Sequence, residues 1–196
     1  MTRIERPSFL NWRAVILHRP HPSVDTLTRQ LSSLRIESRQ IWPQLDETDA
    51  QADVVFFDAD MGHDEQFPWP RGFAPMPMIA LIGSEAPGRI EWALAQGANA
   101  HLLKPISSTG AYSALLIAAI GYQQMRAHVD DIRALEQRLR QRPLVVKAVL
   151  RLMQAGSADE AAALKRLRAI AMEWGMTIED AADAICRDDK RMRSGG

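Results

Sequence analysis

The chain has 196 residues, 46% of them apolar, and its 24 Lys/Arg are balanced by 24 Asp/Glu. That length holds one large domain or two small ones, and the composition excludes wholesale disorder and a polybasic, histone-like protein. A single cysteine, Cys186, excludes an intrachain disulfide framework and a metal site built from several thiolates. The Met1–Arg6 start is charged where a signal peptide needs an apolar core. The longest apolar stretch, Ala114–Ile120, is far below the roughly 20 residues that span a bilayer, so a soluble, cytoplasmic protein is expected. The neutral sum is uneven: from Arg126 onward there are 14 basic and 11 acidic residues. Within Arg138–Arg168 only Asp159 and Glu160 oppose eight basic residues, a local basic surface on a neutral chain.

In chain order, the first hundred residues alternate strands and helices. Arg13–His18 is a short apolar run closed by Pro20 and Pro22, after which Ser23 is placed to cap a helix reaching about Arg35. Val24, Leu27, Leu31 and Leu34 give that helix one apolar face. A second strand over Glu37–Trp42 ends at Pro43. Asp53–Asp58 is the clearest strand, continuously apolar between its two acids, as a parallel strand covered on both faces should be. Met78–Ile82 forms a fourth, a helix spans about Gly88–Gln96, and Ala100–Leu103 forms a fifth that runs into Lys104-Pro105. This alternation predicts a doubly wound, flavodoxin-like α/β sheet. Four prolines between the third and fourth strands do not fit a regular crossover helix. The Pro68–Pro77 stretch is expected to be an exposed apolar loop, suited to docking a partner.

From Ser108 the strand signal vanishes. Ala114, Ala118, Gly121, Met125, His128, Ile132, Leu135, Leu139, Arg142, Val146, Val149 and Met153 follow gaps of four and three, a coiled-coil pattern. Met125, Ile132, Leu135 and Leu139 are the expected dimer seam; the alternative is one amphipathic helix packed on its own domain. The tail reads as three short helical pieces. The first ends near Met153, and Ser157–Glu160 is a capping box for a second that Gly175 terminates. Thr177–Asp180 caps a third, reaching about Cys186. Leu164, Leu167, Ile170, Ala171 and Trp174 make the core face of the second piece, with Met172 expected in the same core. Lys165, Arg166 and Arg168 lie opposite.

The strand ending in Asp58 and the Gly97–Pro105 segment with Lys104 resemble a response-regulator receiver domain, with Asp58 at the phosphoacceptor place. Receivers carry an acidic pair after the first strand to hold magnesium, and here those positions read His18-Arg19. The hydroxyl residue after the fourth strand is replaced by Ile82 and Gly83. Lys147–Met153, Ser157–Glu160, Leu164–Met172 and Ile178–Ala182 together resemble the ANTAR domain, an RNA-binding output of bacterial antiterminators. One position departs: Val149 follows Ala148 where that family has lysine, with Lys147 and Arg151 flanking it. The order of the pieces is similar to the AmiR-type antiterminators of aliphatic amidase operons. The implied fold is a CheY-like pseudo-receiver over residues 1–107, a coiled-coil dimerisation helix over 108–142 and a three-helix ANTAR bundle over 143–196.

The resemblance implies a homodimer that binds leader-RNA hairpins. The resemblance further implies control through sequestration by an amide-sensing, periplasmic-binding-protein-like negative regulator. Arg142, Lys147, Arg151, Lys165, Arg166 and Arg168 are the expected RNA contacts, reading hairpin loops whose bases are splayed and accessible. Transfer of a phosphoryl group to a carboxylate needs a metal between two anions. With His18 and Arg19 in the acidic places, Asp58 reads as a degenerate acceptor that pairs with Lys104. The alternative is a phosphorylation-dependent regulator with the same output; a protein- or DNA-binding helical tail is a third reading. The five histidines are scattered, and no phosphate loop, nucleophile elbow or metal-ligand spacing is present, so no catalytic residue, metal or cofactor is expected.

Overall fold

The computed structural model describes residues 7–156 and 159–193, the last six of these by backbone alone. Five strands, β1 (Arg13–Leu17), β2 (Glu37–Ile41), β3 (Val54–Asp58), β4 (Met78–Ile82) and β5 (Ala98–Leu103), form one parallel sheet in the order β2-β1-β3-β4-β5. Five helices accompany them: α1 (Pro22–Ser33), α2 (Pro87–Ala95), α3 (Ala111–Gln154), α4 (Glu160–Trp174) and α5 (Ile178–Arg193). This is the doubly wound order in which the sequence of strands reverses between β1 and β3. The carboxyl ends of those strands frame the crevice where such folds place their sites.

Two apolar layers sandwich the sheet. Ile16, Val54, Phe56, Ile79 and Leu81 face α1 (Val24, Leu27, Leu31) and the start of α3 (Ala111, Ala114, Leu115, Ala118). Val15, Leu17, Val55, Phe57, Met78 and Ala80 face the other way, onto Ala93 of α2 and the loop residues Leu45, Phe67, Ala74 and Met76. Loops replace helices there. As the prolines require, no α-helix joins β3 to β4, only a 3-10 turn at Asp64–Gln66. The β2–β3 connection also lacks one, which the sequence reading did not anticipate. A capping box between Asp46 and Asp49, with Arg39 paired to Asp49, holds it as a 3-10 turn at Glu47–Gln51. A groove of about 380 Å³ lies beside that turn, lined by Arg13, Val15, Arg39 and Gln51 among others.

The Pro68–Pro77 loop is less exposed than expected. Ala74, Met76 and Pro77 are buried and Trp69 is half-buried, while Phe73, at 76% exposure, stands out with the exposed Pro68, Pro70 and Pro75. The reason is Asp64, whose Oδ1 accepts from Trp92 Nε1 (2.8 Å) and Gln96 Nε2 (2.9 Å) while its other oxygen pairs with Arg71. That carboxylate ties the loop to α2 and the turn after it. The Arg71 bond, then the Trp92 bond, holds Asp64 below the ordinary carboxylate range.

Other expectations shift locally. Helix α1 is capped by His21, whose Nδ1 accepts from Ser23 N (3.1 Å), because Pro22 takes the first helical position and moves the cap back. Asp159 caps α4 by accepting from Ala162 N (2.7 Å); Ser157, expected in that role, lies outside the described residues. Thr177 and Asp180 do cap α5 as the motif predicts, and α5 continues past Cys186 to Arg193.

The chain divides into two compact units, up to Arg126 and from Ala127. Helix α3 is one 44-residue element, so the first tail piece is its C-terminal end and Pro143 lies inside it. A proline there removes one backbone hydrogen bond and costs roughly 3 kcal/mol, against an apolar face that buries Ala148, Val149 and Leu152. The second unit packs those residues against Ala163, Leu167 and Ala171 of α4 and Ala181, Ala182 and Cys186 of α5. Small residues at the centre let the three helices approach closely. Gly175, in the left-handed region (φ 65°), ends α4, with Met176 N donating to Ala171 O (3.0 Å).

Two expected core residues are outside this core. Met172 is 84% exposed and Trp174 47% exposed. Met172 stands four residues beyond Arg168, on the outward face, and Trp174 is the last helical residue before the Gly175 cap. Leu167→Ala should therefore destabilise the unit by about 2–5 kcal/mol, whereas Met172→Ala should change stability by no more than about 0.5 kcal/mol. Chemical denaturation of the two variants checks the contrast.

Candidate functional site

Asp58 ends β3, His18 and Lys104 directly follow β1 and β5, and the fold brings these three together. Asp58 is 1% exposed. Lys104 Nζ donates to Asp58 Oδ1 (2.8 Å) and to Asp60 Oδ2 (2.7 Å), and lies 3.2 Å from His18 Nε2. His18 Nδ1 is 2.6 Å from the carbonyl oxygen of Arg19, which can only accept, so Nδ1 carries the proton. Burial pushes the imidazole below its ordinary pKa, against the raising effects of the Arg19 carbonyl and the Asp58 charge. Neutral His18 therefore offers Nε2 as an acceptor to Lys104. Its 3.3 Å approach to Asp58 Oδ2 is a close contact, not an ion pair. The ammonium thus has three protons and three acceptors.

Asp60, in the loop after β3, completes the pocket, and the sequence analysis did not single it out. Its Oδ1 accepts from Ser84 N (3.0 Å) and its Oδ2 from Gly83 N (2.8 Å), while its own N–H donates to Asp58 Oδ1 (3.0 Å). Burial raises its pKa, but the Lys104 hydrogen bond and the two backbone N–H groups outweigh it and hold the carboxyl below the ordinary range. The missing hydroxyl after β4 has a steric counterpart. A Cβ on Gly83 would meet Asp60 Oδ2 at 2.7 Å and Lys104 Cε at 3.4 Å. The expected Asp58–Lys104 pair is present; Arg19 is exposed and contributes its backbone carbonyl.

The magnesium ion that receivers employ does not fit these residues. Hard divalent cations require several oxygen ligands. Here the acidic pair is His18-Arg19, and both remaining carboxylates are bound to an ammonium. Among the described residues, no group of three or more His, Cys, Asp or Glu side chains is arranged to hold a metal ion.

The basic residues fall into two settings. Lys165, Arg166 and Arg168 are exposed on α4, and Arg142 and Lys147 are exposed on α3. Arg151 is half-buried and donates from one guanidinium nitrogen to the carbonyl oxygen of Ile185 (3.0 Å), which links α3 to α5. The apolar four-three series is also divided. Ala114 and Ala118 are buried in the sheet's core and Val149 in the bundle's, so they cannot face a partner. Met125, Ile132, Leu135 and Leu139 are exposed, as are Val146 and Leu150 farther along α3.

Residues 12–119 match the family described as AmiR, N-terminal, and residues 133–185 match the ANTAR domain. The chain belongs to the AmiR family of ANTAR regulators. The AmiR match covers the sheet and the start of α3; the ANTAR match covers the C-terminal half of α3, α4 and the first half of α5. Among solved structures, a response regulator receiver protein from Burkholderia phymatum is similar at 21% identity. That likeness covers 57% of this chain and 96% of the other, with a TM-score of 0.43. The receiver domain of a modulated diguanylate cyclase from Desulfovibrio desulfuricans G20 is similar at 15% identity. It covers 59% of this chain and 98% of its own, with a TM-score of 0.45. No curated protein matches the chain. Among the described residues, no helix is long and apolar enough to cross a membrane.

The buried imidazole makes a pH prediction. A folded-state pKa below 6.5 means that the unfolded chain binds more protons on acidification. The stabilising contribution is complete above pH 6.5 and falls as the pH drops toward the lowered folded value. Thermal unfolding should show a midpoint that declines below pH 6.5 in the native protein and declines less in His18→Gln. Equal slopes would mean that His18 is not the titrating group.

Proposed function

We propose that this AmiR-family regulator is a homodimeric, RNA-binding antiterminator that acts on leader-RNA hairpins of an amidase-like catabolic operon. A ligand-sensing partner protein, amide-binding and periplasmic-binding-protein-like, would control it by sequestration. The observation that carries the RNA reading is the split of α4: Ala163, Leu167 and Ala171 are buried, while Lys165, Arg166 and Arg168 stand exposed. An ANTAR match over that same helix supports it. Arg142 and Lys147 extend the cationic surface along α3, and Arg151 adds to it in sequence while one nitrogen secures α5. Such a surface binds nucleic acid first through phosphate, with release of condensed counterions. Control by a partner rather than by phosphorylation is supported at the Asp58 pocket, where an ammonium and a neutral imidazole stand where a phosphoryl-transfer site needs a metal.

Neutralising Lys165, Arg166 and Arg168 together should weaken binding to leader hairpins and leave the melting temperature nearly unchanged. Each lost phosphate contact should lower the slope of log affinity against log salt by about one unit or slightly less. Arg151→Ala should instead lower stability by about 0.5–1.5 kcal/mol, the usual worth of one hydrogen bond. Normal antitermination by the triple variant would place the RNA site elsewhere.

Exposed Met125, Ile132, Leu135 and Leu139 support a second chain as the occupant of that face of α3. Light scattering at micromolar concentration should show a dimer, and Leu135→Glu, which puts a charge into each copy of the seam, should yield a monomer. A native monomer, or a dimer that Leu135→Glu leaves intact, would remove the seam from the proposal.

A further inference from the structure

Gly83 N, Ser84 N and Lys104 Nζ converge on one carboxylate. Consecutive backbone N–H groups beside an ammonium form a seat for an oxyanion, with partial positive charge on the amides and a full charge on the lysine. The occupant here is Asp60, held by bonds of 2.8, 3.0 and 2.7 Å to those three donors. Both of its oxygens are engaged.

We propose that Gly83, Ser84 and Lys104 form an oxyanion-binding site and that Asp60 is its tethered internal ligand, which keeps inorganic phosphate and Asp58-linked phosphoryl groups out. Three independent features support this. The Asp60 backbone N–H donates to Asp58 Oδ1 (3.0 Å), so the short turn after β3 aims the carboxylate back over the strand ends. Gly83 leaves room for it: no positive φ requires glycine there, yet a Cβ would come within 2.7 Å of Asp60 Oδ2. Asp60 also shares Lys104 with Asp58, so an entering oxyanion would meet two carboxylates and only one ammonium. Like charges at that separation repel strongly where water is scarce.

A tethered group competes at an effective concentration of order millimolar or higher, so free phosphate is displaced without any tight contact of its own being lost. The pocket is therefore permanently filled, whichever partner or RNA the protein binds. This stands apart from the RNA-binding reading, and neither result below depends on it.

The test uses the full chain and inorganic phosphate, followed through the backbone amide NMR signals of Gly83 and Ser84. In the native protein these signals should not shift saturably with phosphate, and both amides should exchange at least about tenfold more slowly than an unprotected loop. Asp60→Ala empties the seat, and both signals should then shift saturably. Asp60→Ser should do the same as an independent variant, since its shorter, uncharged side chain also vacates the seat while Gly83, Asp58 and Lys104 remain. A native protein that binds phosphate as well as Asp60→Ala does would overturn the proposal. So would unprotected Gly83 and Ser84 amides in the native protein, or folded variants that both ignore phosphate.

Discussion

The Lys104 ammonium is the interaction on which the sheet end of this protein depends. It lies where β1, β3, β4 and β5 finish, and it is coordinated by Asp58, Asp60 and His18. Each partner is tied in turn to backbone: Asp58 accepts from Asp60 N, Asp60 from the loop after β4, and His18 donates to the Arg19 carbonyl. Four strand exits are thus linked through one cation. Removing one member of a buried charged pair typically costs about 3–5 kcal/mol, because the other is left uncompensated. The three side chains and the backbone N–H groups around them form a single satisfied network.

The same economy of parts shapes the sheet's other face. Where a doubly wound fold supplies crossover helices, this chain uses two loops, each fixed by an acid. Asp49 holds Arg39 and the backbone of Asp46, and Asp64 holds Arg71, Trp92 and Gln96. Buried Phe67, Ala74 and Met76 supply the apolar cover that a helix would provide. The prolines make such a segment pay less conformational entropy on ordering than a flexible loop of equal length would. Phe73 is left outward on a turn whose base is anchored, a rigid presentation of one large aromatic group.

In the second unit, the buried core and the exposed cations occupy different sides of the same helices. The alanine-rich inner faces of α4 and α5 bring backbones close, and the cations lie outside that core. Arg151 is the exception, since it is both basic and structural. Because α3 contributes to both cores and is continuous between them, the exposed apolar side chains of Ile132, Leu135 and Leu139 belong to the same helix that builds the bundle.

Much of this was legible in the amino-acid order. Continuous apolar runs marked β3 and β4 because buried parallel strands must be apolar on both faces, and the four prolines ruled out the β3–β4 helix. Thr177 with Asp180 marked a helix start, and the motif segments identified both families. These signals are local or periodic, and the sequence carries them directly. The tertiary structure decided what depends on which residues meet across the fold. Nothing in the local sequence singled out Asp60, which gains its place only because the loop after β4 sets two N–H groups against it. Met172 and Trp174 looked like core by spacing, yet both are exposed outside the three-helix core. Ala114 and Ala118 fitted a dimer seam by period, but the sheet claims that face of α3 first. Periodicity says that a face is apolar; only packing says against what.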